Sequence, residues 1–171
     1  DEQKKKYLPE IANGNLTCCF AFEEGPRHNP KISEVTAEKK GEKFLINGKK
    51  CFVVDGGFAD LIIIAAKSSK GTSLFLAQKD SKGIEVKEAK MVDSRNSANI
   101  LFTGLEINSE NVLGEIDNAQ DTIEEVLDIA RAAISAEMLG GALEAFEITV
   151  NYLKEREQFG VKIGSFQALQ H

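Results

Sequence analysis

Arg156-Glu-Gln-Phe-Gly-Val-Lys-Ile-Gly-Ser-Phe-Gln-Ala-Leu-Gln-His171 joins a long apolar-periodic segment to the start of a second helix. In this reading Arg156 closes the first helix, and Gly160 supplies the permissive backbone that ends it. Ser165 is then expected to cap a new segment that carries Phe166 and Leu169 on one face. About two turns of it are present, and an isolated helix shorter than roughly 12–15 residues is marginal in water. The expectation is that this helix continues and that the 171 residues are part of something larger.

Upstream of Arg156 the helical period reaches back to about Gln120. Ile123, Val126, Leu127, Ala130, Ile134, Met138, Ala142, Phe146, Val150 and Leu153 recur three or four residues apart, which predicts one amphipathic helix ending near Glu157. At 1.5 Å per residue it would span on the order of 55 Å, more than a neighbouring β domain covers, so its stripe requires other helices. Asp121-x-x-Glu124 reads as a capping box near its start, with acids placed to suit the helix dipole. Gly140-Gly141 costs roughly 1 kcal/mol per glycine in propensity, which leaves open either close approach by another helix or a kink.

From Leu16 to Asn108 the pattern changes to short apolar or alternating runs between turn residues: Leu16–Phe22, Glu34–Lys39, Lys43–Ile46, Lys50–Val54, Leu61–Lys67, Ser73–Gln78, Gly83–Val86 and Asn99–Phe102. These predict an antiparallel sandwich or barrel. Asn47-Gly48 is the dipeptide of a two-residue type I′ hairpin, and Gly56-Gly57 reads as a strand-end turn. The expected fold class is therefore α+β, an antiparallel β-sandwich or barrel domain followed by a long helix that opens a truncated helical bundle. The boundary is expected in the Asn108–Asn118 loop.

A hydrophobic content of 42% suffices for one core, and no run approaches the length of a membrane span. The net charge of −6 argues against a nucleic-acid binder, and Lys4-Lys5-Lys6 reads as a solvated helix end. Cys18, Cys19 and Cys51 give neither a disulfide framework nor metal-ligand spacing, which points to a reducing compartment, the cytoplasm or the mitochondrial matrix. No targeting segment is visible after Asp1. His28 and His171 are the only histidines, and neither a Gly-x-Ser-x-Gly elbow nor a P-loop is present.

Arg-x-Gln-Phe-Gly-x-x-Ile-x-x-Phe-Gln-x-x-Gln-His resembles the corresponding segment of the acyl-CoA dehydrogenases, flavoenzymes that oxidise acyl-CoA thioesters. Lys6-Tyr7-Leu8-Pro9, Ile46-Asn47-Gly48-x-Lys50, Arg95-x-Ser97, Asn111-Val112-Leu113-Gly114 and Leu127-Asp128-x-x-Arg131 follow in the family's order with nearly its spacings. The resemblance implies that residues 1–15 end an N-terminal helical domain, 16–113 form the middle β domain, and 114–171 begin a C-terminal helical domain. It also implies an oxidoreductase of fatty acid metabolism with FAD as cofactor and acyl-CoA as substrate. Electron-transfer flavoprotein is the implied partner, and the implied assembly is a dimer or homotetramer, or a hetero-oligomer with a related subunit. A degenerate, non-catalytic member serving as a partner subunit is the alternative.

Residue by residue, the resemblance carries Arg156, Gln158 and Phe159 to the FAD of a neighbouring subunit, with Gln167 as another such contact. The alternative is that Arg156 pairs with Glu155 or Glu157 and Phe159 fills a helix corner. Asp128 and Arg131 fall where the family's helix meets acyl-CoA, or they form a plain i,i+3 surface ion pair. Arg95 and Ser97 are given a structural role only. On the strand after Asn47-Gly48, Phe52 matches the aromatic that packs on the flavin, and Val54 stands where the family has a hydroxyl donor. The earlier strand gives Phe22 and Glu23 as flavin-facing, with Phe22-Glu23-Glu24-Gly25-Pro26-Arg27-His28-Asn29-Pro30 replacing the family's Thr-Glu-Pro and small-residue loop. Glu23 either takes the flavin-contacting position of that Thr or, in a shifted register, points to solvent. The chemistry also needs a carboxylate to remove the α-proton, and the position before Arg131 that serves in some members is Ala130. The base is therefore expected beyond His171.

Overall fold

The structure is a computed structural model that describes residues 2–29, 31 and 34–171. Asp1, and Pro30 of the altered loop, lie outside the described residues. The chain forms two compact units that divide between Asp121 and Thr122.

The first unit opens with helix α1 (Glu2–Ala12), which buries none of its residues. Gln3 Nε2 ties it down by donating to the carbonyls of Glu110 and Val112 at 2.9 and 2.8 Å. The sheet strands follow as β1 (Cys18–Ala21), β2 (Thr36–Lys40), β3 (Lys43–Val54), β4 (Leu61–Lys67), β5 (Thr72–Gln78), β6 (Ile84–Lys90), β7 (Asn96–Asn108) and β8 (Val112–Leu113). They form one eight-stranded sheet in the order β6-β7-β3-β2-β4-β5-β8, with β1 also paired to β4. Most pairings are antiparallel, as the sequence predicts, but β4 pairs in parallel with both β1 and β2. Its near-continuous apolar run, Leu61-Ile-Ile-Ile-Ala-Ala, is the composition of a strand covered on both faces. Ile46, Ile62, Ile64, Ile100, Phe102 and Leu105 are fully buried in the core, where the rings of Phe44 and Phe75 pack 5.1 Å apart.

Asn47-Gly48 is not a hairpin turn. β3 runs straight through it, so Lys43–Ile46 and Lys50–Val54 are two halves of one twelve-residue strand. The register against β7 slips between Ile46 and Gly48, and Gly48 holds φ +130. A Cβ there would stand 2.8 Å from Val35 Cα, so glycine serves the close approach of two backbones at a bulge. Asn47 Oδ1 accepts the Gly104 N–H at 2.7 Å, so its side chain is used across strands. The tight turn lies between Lys40 and Lys43, where Gly41 takes φ +62.

In the second unit, helix α2 (Gln120–Glu155) runs unbroken for 36 residues through Gly140-Gly141. Asp121 sits inside its first turn rather than ahead of it, which suits the dipole but gives no N-cap. Ile129, Leu139 and Leu143 are 71%, 61% and 54% exposed and lie about half a turn from the Leu127–Ile134 stripe. The helix is thus apolar around its circumference rather than amphipathic, a pattern that belongs to helices enclosed by partners.

Beyond Glu155, strands β9 (Glu157–Gln158) and β10 (Val161–Lys162) form a two-stranded ribbon. Phe159 and Gly160, at φ +57 and +76, are its type I′ turn, so Gly160 shapes a hairpin rather than stopping the helix. Ser165 closes a 3₁₀ turn and donates its hydroxyl to the Lys162 carbonyl at 2.7 Å. The cap position of helix α3 (Gln167–Gln170) is Phe166, not the expected Ser165, and it makes no side-chain capping bond.

Candidate functional site

The alternation of β3 points Phe44, Ile46 and Lys50 inward, and a second register slip between Lys50 and Val53 then reverses the parity. Phe52 lies in that slip at φ +50, a costly conformation for an aromatic residue, and is 55% exposed. Val53 returns to the core at 2% exposure, while Val54 emerges again at 43%. Phe52 and Val54 therefore share the outer face of the strand.

Phe52 borders a cleft of about 640 Å³ whose other walls include Glu23, His28, Cys51, Ser97 and Asn99. The loop after β1 is joined to β3 through the Cys51 N–H, which donates to the Glu23 carbonyl at 2.7 Å. Asn99 Oδ1 accepts the Phe52 N–H at 3.4 Å and supports the slip from β7. Of the two residues expected from the earlier strand, Glu23 reaches the cleft and Phe22 does not. Phe22 is 5% exposed and stacks on Phe20 with ring centroids 5.4 Å apart. The Glu23 carboxylate is engaged by its own loop, with Oε1 2.5 Å from His28 Nδ1 and Oε2 accepting the Asn29 N–H at 3.4 Å.

The next residue along the loop, Glu24, enters a buried ion pair. Lys50 Nζ, fully buried, donates to the Phe22 carbonyl at 2.8 Å and to Glu24 Oε1 at 3.0 Å. Glu24 accepts in addition the N–H groups of Glu34 and Val35, each at 2.9 Å, so its carboxylate fixes both ends of the loop. Burial pushes the Lys50 amine down to about 8, against the opposing pull of Glu24. Lys50 shares the inward parity of Phe44 and Ile46 only because β3 runs through Asn47-Gly48, which a hairpin reading hides. Nothing in the sequence named Glu24 as its partner, nor His28 or Asn99 as cleft residues.

The remaining candidates belong to the second unit. Arg131 pairs with Asp128 at 2.6 Å and with Glu124 at 3.4 Å, so the i,i+3 pair exists on the exposed helix surface. Ala130 is exposed beside it and offers no carboxylate. Arg156 follows the last helical turn and, among the described residues, has no ion-pair partner, because Glu157 is taken by Lys162 at 2.7 Å. Phe159 stands at the ribbon tip, 92% exposed, its ring edge-on to Phe166 at 6.3 Å. Gln158 donates to the Glu157 carbonyl at 2.8 Å, and Gln167 is the exposed first residue of α3.

Residues 19–106 match the family model of the acyl-CoA dehydrogenase middle domain, and residues 120–171 match that of the acyl-CoA dehydrogenase C-terminal domain. The chain belongs to the acyl-CoA dehydrogenase family. Over its whole length it is 31% identical to the short/branched chain specific acyl-CoA dehydrogenase of Bos taurus mitochondria, of which it covers 41%. An acyl-CoA dehydrogenase of Bacillus subtilis is 34% identical over 99% of the chain, which covers 47% of that protein. The crystal structure of an acyl-CoA dehydrogenase from Geobacillus kaustophilus superposes with a TM-score of 0.87 at 28% identity, over 99% of this chain and 48% of that one. The chain thus spans under half the length of the acyl-CoA dehydrogenases it matches. Among the described residues, no helix is long and apolar enough to cross a membrane.

Proposed function

We propose that the intact protein is an FAD-dependent acyl-CoA dehydrogenase that oxidises an acyl-CoA thioester between its α and β carbons. The observation that carries this reading is Phe52, an aromatic ring held outward at positive φ over an open cleft, with Val54 exposed on the same face. A planar heteroaromatic ring fits this donor set. Phe52 and Val54 offer apolar surface, and Asn99 and Ser97 offer polar groups in place of the hydroxyl that Val54 lacks. FAD, when bound, supplies the two-electron acceptor.

The other assignments follow the family pattern. Arg156 presents an exposed guanidinium fork without an ion-pair partner among the described residues, which suits a diphosphate. Gln158, Phe159 and Gln167 would assist it at a subunit boundary, and the Asp128–Arg131 pair would orient acyl-CoA. Ala130 has no proton-accepting group, so the base is contributed by residues outside this chain segment. Within the intact protein, residues 1–15 would close an N-terminal helical domain, 16–113 form the middle domain and 114–171 open the C-terminal one. The unsatisfied apolar circumference of α2 supports further helices and a dimeric or tetrameric assembly, and electron-transfer flavoprotein would accept the electrons. Cytoplasm or mitochondrial matrix is the compartment that suits free Cys18, Cys19 and Cys51.

The test is to purify the intact protein, record its absorbance spectrum and titrate the apoprotein with FAD. Stoichiometric FAD supports the reading; a colourless protein that takes up none refutes it.

A further inference from the structure

Val54 stands where the resemblance implies a hydroxyl, and so does Glu23 in one of its two registers; this chain has a hydroxyl at neither. What the cleft holds instead is an imidazole. His28 Nδ1 lies 2.5 Å from Glu23 Oε1, and the His28 ring packs 6.1 Å from that of Phe22. A carboxylate on one ring nitrogen keeps the proton there and fixes both the tautomer and the orientation of the ring. Nδ1 is thereby consumed, and Nε2, without a partner among the described residues, is left for a ligand. His28 and Phe52 line the same cleft, and the His28 side chain is 54% exposed.

We propose that Glu23 and His28 act as one unit in which Glu23 positions the imidazole and His28 Nε2 is the hydrogen-bonding group offered to the polar edge of a bound flavin ring. The inference rests on the flavoprotein reading and deepens it. The carboxylate is turned onto His28, so the group offered to the ligand is a ring nitrogen.

The experiment is to titrate the intact apoprotein with FAD, using wild type, His28→Gln, His28→Phe and Glu23→Gln. His28→Gln and His28→Phe should both weaken FAD binding about tenfold, the worth of one hydrogen bond from the imidazole. His28→Phe keeps an aromatic ring against Phe22, so agreement between the two variants assigns the loss to nitrogen rather than to packing. Glu23→Gln keeps an acceptor for Nδ1, so the ring stays oriented and binding should persist. A wild-type dissociation constant in both His28 variants would overturn the inference and leave the flavoprotein reading standing. Wild type that binds no FAD would overturn both.

Discussion

Replacing Lys50 with Met should destabilise the protein by about 3 kcal/mol, although Met matches the lysine stem in length and shape. Lys50 Nζ is fully buried and holds the Phe22 carbonyl at 2.8 Å and the Glu24 carboxylate at 3.0 Å. Removing one partner of a buried pair costs roughly 3–5 kcal/mol, because the other charge stays buried without its counterion. Glu24 keeps the N–H groups of Glu34 and Val35, which sets the expectation at the lower end of that range. In a domain of this size about 3 kcal/mol lowers the melting temperature by roughly 6–12 °C. Urea unfolding of wild type, Lys50→Met and the double variant Lys50→Met/Glu24→Leu measures it, and the double variant should recover most of the loss. A pH series adds a second readout. The folded amine is pushed from 10.5 to about 8, so between those values the unfolded chain binds the extra proton and wild-type stability rises with pH. Lys50→Met should lack that rise. A loss below about 1 kcal/mol, or an unchanged alkaline slope, would refute the reasoning.

Gly48→Ala should cost about 2–3 kcal/mol, seen as a lower urea midpoint, because its Cβ would meet the Val35 backbone at 2.8 Å in a φ region unfavourable to alanine. Asp117 accepts hydrogen bonds from the Ser68 and Ser69 hydroxyls and from the Lys70 and Gly71 N–H groups. These bonds, that from Ser68 foremost, hold its carboxyl below the usual 3.8, so its contribution is present above that value and is lost as pH falls. Thermal melts of Asp117→Asn should therefore show a lower melting temperature at neutral pH and a flatter decline toward acid than wild type. Arg156→Lys should weaken FAD binding about 10- to 100-fold with the helix intact, since an ammonium cannot form the bidentate fork. Apoprotein titration and circular dichroism check the two halves of that statement.

The strands of the sheet were legible because their patterns are local. The apolar runs Leu61–Lys67 and Ser73–Gln78 read as strands, and β4 and β5 lie there. Slips in register are not local. Asn47-Gly48 has the composition of a hairpin turn, but whether the chain turns or bulges there depends on Val35 and Gly104, twelve and more residues away. Phe159-Gly160 shows the converse, a true type I′ turn that reads as a helix stop because its strands are only two residues long. At the candidate site, the resemblance named Phe52, but the register slip that turns its ring outward has no local signal. The Glu23–His28 and Glu24–Lys50 pairs were missed because a carboxylate on a loop chooses its partner by tertiary approach. Adjacent Glu23 and Glu24 are alike in sequence, yet one lines the cleft and the other pairs with buried Lys50.

The most direct measurement of the central claim is an anaerobic titration of the intact, FAD-loaded protein with a panel of straight-chain, branched and aryl acyl-CoA thioesters, followed in the flavin absorbance band. The account predicts that at least one thioester bleaches the band and yields the α,β-unsaturated product in amounts matching the flavin reduced. A fully loaded protein whose flavin is reduced by dithionite but by no member of the panel would contradict it.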